Sequence, residues 1–207
     1  YELDPENHHL EILLVNEIRK LEKDLLGNSF NDEKTHNRRL GYPRARAGEY
    51  VIGLHDFVRQ VLKERQVARP DLWRICQGYL ETLAGNYYDA IRTFEEAREH
   101  VDNELLKDQL AAFEMAMRIS AFTAATDSIE REVNNMRESS VYRRYRDFPD
   151  FLSDKMATLY QQGDSPGKAF LSNHRLGDLK VNPKLNVIED LLAICQKTGR
   201  NSLETAL

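Results

Sequence analysis

The sequence predicts an all-α fold, and three observations carry that prediction. Apolar residues recur at three- and four-residue spacing through most of the chain. No stretch alternates apolar and polar residues for long enough to argue a strand. All six prolines (Pro5, Pro43, Pro70, Pro149, Pro166 and Pro183) stand where a helix should begin. Proline is tolerated in a first helical turn, where its missing N–H would have no partner anyway.

The elements follow in order. Leu10, Leu13, Leu14, Ile18, Leu21 and Leu25 define an amphipathic helix over 5–26, with Asp4 as its cap. Tyr50, Val51, Leu54, Val58, Val61 and Leu62 define a second over 45–67. Further helices fit 71–84, 87–100, 103–120, 122–138, 148–161, 166–172 and 184–197, the last capped by Asn182. GNSFNDEKTHNRRLGYPR (27–44) is polar and too long for a tight helix–helix turn, which predicts a long exposed loop. SNHRLGDLKVNP (172–183) is a shorter irregular piece.

Bulk composition narrows the function classes. Charged residues make up 30% of the 207 positions, and no apolar run approaches the roughly 18–20 residues of a membrane span. With 29 Lys+Arg against 34 Asp+Glu the net charge is −5, which disfavours nucleic acid as the main partner. Cys76 and Cys195 each sit in an apolar helical pattern and read as buried free thiols. No CxxC or Cys/His ligand spacing is present, so no metal is expected. The compartment stays open between cytoplasm and periplasm.

The segment PDLWRICQGYLETLAGNYYDAIRTFEEAREHV (70–101) carries the most specific pattern. Gly78 permits close helix approach, Gly85 suits the left-handed conformation at a helix end, and Ala90 is the small residue at a crossing. Tyr87, Ile91, Phe94 and Ala97 make one packing stripe. These residues resemble the tetratricopeptide repeat (TPR), a pair of antiparallel helices of about 33 residues. Gly78, Gly85, Tyr87, Ala90, Phe94 and Ala97 match its register, whereas Trp73 lies one place early and Gln77 stands where leucine is usual. YELDPEN at the start is similar to the tail of such a repeat. MATLYQQGDSPGKAFL (156–171) resembles a repeat centre, with Gly163 as the turn and Ala169 displaced by one residue. LLAICQKTGRNSLETAL resembles another, turning at Gly199.

The resemblance implies a right-handed α-α superhelix of TPR-like helical hairpins. Residues 1–207 form a single repeat domain in that reading, with the best repeat over 71–102. Because a repeat cannot bury its apolar face alone, and both termini fall within a repeat, a fragment or processed chain of a longer array is expected. In the TPR family, first helices line a concave face that binds peptides. Carried onto this chain, that face includes Leu72, Ile75, Tyr79 and Thr82.

Catalytic patterns are sparse. Nucleophile-elbow, zinc-protease, phosphate-loop and dinucleotide motifs are all missing from the sequence. His8 and His9 are adjacent and so face different sides of a helix, while His55 reads as a polar edge. Glu95, Glu96 and Glu99, like Glu130 and Glu132, lie in charge-mixed patterns that read as wet outer faces. No catalytic residue and no cofactor are expected. Two basic clusters stand out: Lys34, His36, Arg38, Arg39, Arg44 and Arg46 around Tyr42, and Arg143, Arg144 and Arg146 among Tyr142 and Tyr145. Arginine beside tyrosine suits phosphate contact with base stacking.

The sequence therefore favours a non-catalytic scaffold or adaptor that binds a peptide or partner helix in a concave groove. One alternative is an anionic-ligand or single-stranded nucleic-acid binder acting through Arg38, Arg39, Arg143 and Arg144. A second is an extracytoplasmic glycan-binding helical lipoprotein.

Overall fold

The computed structural model describes residues 1, 4–26, 46–201 and 204–205. The predicted 27–44 loop, with Pro43, Arg38 and Arg39, lies outside the described residues. Among the described residues the secondary structure is entirely helical: α1 (His9–Leu26), α2 (Ala47–Glu64), α3 (Pro70–Leu83), α4 (Tyr87–His100), α5 (Glu104–Ser120), α6 (Asp127–Glu138), α7 (Ser140–Arg144), α8 (Phe148–Gln162), α9 (Pro166–Asn173), a 3-10 turn (Leu176–Lys180) and α10 (Leu185–Gln196). None of these helices is long and apolar enough to cross a membrane.

Proline marks the helix starts with a graded precision. Pro70, Pro149 and Pro166 sit in the first turns of α3, α8 and α9. Pro5 and Pro183 precede their helices by a few residues, so neither Asp4 nor Asn182 is the cap. At α1 the Asn7 side chain instead accepts from the His9 backbone N–H at 3.0 Å. The two elements not anticipated, α7 and the 3-10 turn, are five residues each, too short to show a period.

The chain divides into two compact units, Tyr1–Ala121 and Phe122–Leu207. In the first, α3 is central and packs against α1, α2, α4 and α5. It buries Trp73, Ile75, Cys76, Tyr79 and Leu80 among Leu14 and Ile18 of α1, Val58 and Val61 of α2, and Ala90, Phe94 and Ala97 of α4. Leu13 and Tyr50, placed by spacing on apolar stripes, are exposed instead, and so is Ile91 of α4.

The α3–α4 crossing is tight because Gly78 has no side chain. A Cβ there would stand 2.6 Å from the Phe94 ring, well inside contact distance. At the turn, Gly85 takes φ +76°, and the Asn86 N–H reaches back to the Glu81 carbonyl at 2.8 Å. This is the hydrogen-bonding pattern of a helix C-terminus closed by a left-handed residue.

The second unit repeats that turn. Its helices pack as α6 on α7, α7 on α8, α8 on α9 and α9 on α10. Between α8 and α9 the left-handed residue is Asp164 (φ 53°), not Gly163. Ser165 N–H bonds the Tyr160 carbonyl at 2.8 Å, matching Asn86 on Glu81. Gly163 N–H bonds Leu159 as Ala84 N–H bonds Leu80, both at 2.9 Å. Counted from the left-handed residue, Ala169 stands where Ala90 does, so it is in register rather than displaced. Both alanines are buried. Gly199 is left-handed as expected (φ 82°), but α10 ends earlier, at Gln196.

Candidate binding groove

Three helices of the first unit line one hollow of about 300 Å³. Helix α1 supplies Val15, Ile18, Arg19 and Glu22; α3 supplies Leu72, Ile75 and Cys76; α5 supplies Leu105, Leu106, Gln109 and Phe113. Positions i, i+3, i+4 and i+7 share one helix face, so the α1 and α3 walls are single stripes, while the adjacent Leu105 and Leu106 make the α5 wall broader. The floor is apolar, with Ile18 and Ile75 buried and Leu72, Leu106 and Phe113 half-buried. Arg19 and Leu105 stand exposed at the mouth.

Two of the four residues expected on this face are placed elsewhere. Leu72 and Ile75 line the hollow, but Tyr79 is fully buried and Thr82 is 2% exposed. The reason is closure of α1 and α5 over the second half of α3. The Phe113 ring stacks on Tyr79 with centroids 3.7 Å apart, and the Tyr79 hydroxyl donates to Glu22. Burial, then the neighbouring Glu22 charge, pushes the Tyr79 phenol well above its ordinary range. Thr82 Oγ1 donates to the Gly78 carbonyl at 3.0 Å. Both are therefore core residues, and the accessible wall is the first half of α3. The α1 and α5 walls were missed by reasoning confined to one repeat; on α1 the spacing of Val15, Ile18, Arg19 and Glu22 was the available signal.

Cys76 in the floor is a buried thiol as expected, and burial pushes its pKa up to about 12. At neutral pH it is protonated and behaves as a small apolar group. Cys195 departs from the expectation: it is exposed on α10.

The basic clusters fare differently. Arg38 and Arg39 lie outside the described residues. Arg143 and Arg144 are exposed at the end of α7. Their intervening aromatics point inward: Tyr142 is 9% exposed, and Tyr145 meets Phe148 edge to face with centroids 5.8 Å apart. Neither ring forms a free stacking platform beside the arginines.

Among the carboxylates, Glu95, Glu96 and Glu99 are exposed, with Glu96 paired to Arg74. Glu130 is not on a wet face; it is 2% exposed. It accepts from Tyr160 Oη at 2.7 Å, Lys168 Nζ at 2.9 Å and the Asn201 amide. Lys168 also bonds Glu204 at 2.8 Å, and Lys197 bonds Glu204 at 2.9 Å. Asn201 and Glu204 accept from each other's backbone N–H, closing a capping box. These carboxylates are saturated by donors and read as a structural clamp, not an acid–base pair.

The clamp makes a pH prediction. Burial alone would raise the Glu204 pKa, but hydrogen bonds from Lys168, Lys197 and the Asn201 N–H outweigh it and bring it from 4.5 to about 2. A depressed carboxyl stabilises the fold above its unfolded pKa and loses that contribution as pH falls. The second unit should therefore weaken between pH 4.5 and 2, with little change between 5 and 7 from this group. NMR titration of the Glu204 carboxyl carbon checks it.

His55 is half-buried and bonds Glu81 through Nε2 at 3.0 Å. His8 and His9 are exposed with their rings in contact. Among the described residues no group of three or more His, Cys, Asp or Glu side chains is placed to hold a metal ion.

No family model, curated protein or solved structure matches this chain.

Proposed function

We propose that the first unit is a non-catalytic, TPR-like peptide-binding module of a scaffold or adaptor. The observation that carries the reading is the hollow lined by α1, α3 and α5, three alternate helices that share an apolar floor. In a right-handed superhelix of hairpins, α1/α2 and α3/α4 are successive pairs and α5 opens the next. First helices then share the inner face, which is where the hollow lies in this reading. The shared turn register of Gly85 and Asp164 supports a repeated hairpin. An apolar groove between helices accepts the apolar face of a peptide or partner helix.

The test is a selection of peptides from a random display library against the whole chain, followed by affinity measurement on variants. Leu106→Asp, which places a charge in the floor, should weaken selected peptides by at least about tenfold, the cost of desolvating a charge at a contact. Ile91→Asp on the exposed side of α4 should leave them unchanged. Peptides insensitive to both Leu106→Asp and Leu72→Asp would refute the groove.

A further inference from the structure

We draw no further inference here: the strongest candidate, the polar hollow around α8, α9 and α10 lined by Gln161, Asp164, Asn173, His174, Lys184 and Asn186, is walled by exposed polar side chains whose Lys184 charge is offset by Asp164, and nothing in the structure shows what covers it.

Discussion

Phe94→Ala should cost the first unit about 3–5 kcal/mol, the usual range for removing a fully buried phenylalanine. Phe94 is 1% exposed and its ring lies against Gly78 of α3. Against typical domain stabilities of about 5–15 kcal/mol, that loss is a large fraction of the total. A denaturant titration should show the midpoint shift with its slope unchanged. The companion variant separates packing from general damage. Gly78→Ala in the native background should cost about 1–3 kcal/mol, because its Cβ would meet the ring. With Phe94 already removed, the same methyl enters vacated space, so its cost should largely vanish. Two additive penalties would mean that Gly78 and Phe94 do not share a contact.

Lys168→Met should have the largest effect in the second unit, again about 3–5 kcal/mol. The substitution keeps most of the apolar stem and deletes the ammonium shared by Glu130 and Glu204, which are 2% and 3% exposed. Burial disfavours the charged lysine, yet its bonds to Glu204 and Glu130 raise its pKa, so the ammonium is the resident form. Without it, Glu130 keeps the Tyr160 and Asn201 donors, and Glu204 keeps Lys197 and the Asn201 N–H. Thermal melts at pH 7 should show the deficit. It should narrow in acid, because protonation removes the buried charges that the ammonium had balanced. A second change, Glu130→Gln, should recover part of the loss by removing one stranded charge. A deficit independent of pH would point to lost packing of the stem instead.

How much was legible in the sequence varies with the range of the interactions involved. Helix α4 was bounded correctly because its signals are local: Gly85 before it, and small and aromatic residues at repeat spacing within it. The α8–α9 hairpin was recognised but its register slipped by one residue. Glycine is the ordinary left-handed residue, and here Asp164, which also tolerates that conformation, takes the position. The burial of Tyr79 was illegible within one repeat, since Glu22 and Phe113 come from helices 57 residues before it and beyond the next hairpin turn. Glu130 escaped for the same reason. Its partners lie 30, 38 and 71 residues away, and a charge-mixed helix such as α6 gives no local sign of them.

The groove itself was half legible. Leu72 and Ile75 follow from the repeat resemblance, whereas the α1 and α5 walls depend on which helices pack beside α3. That packing turns an apolar stripe into a bounded hollow.

The most direct test of peptide binding between α1, α3 and α5 is backbone-amide NMR of the labelled chain, titrated with a display-selected peptide. The account predicts shift changes concentrated at Arg19, Leu72, Leu106, Gln109 and Phe113, with the exposed side of α4 around Ile91 and Glu95 unmoved. Changes confined to α4, or to the second unit with α1, α3 and α5 silent, would contradict it.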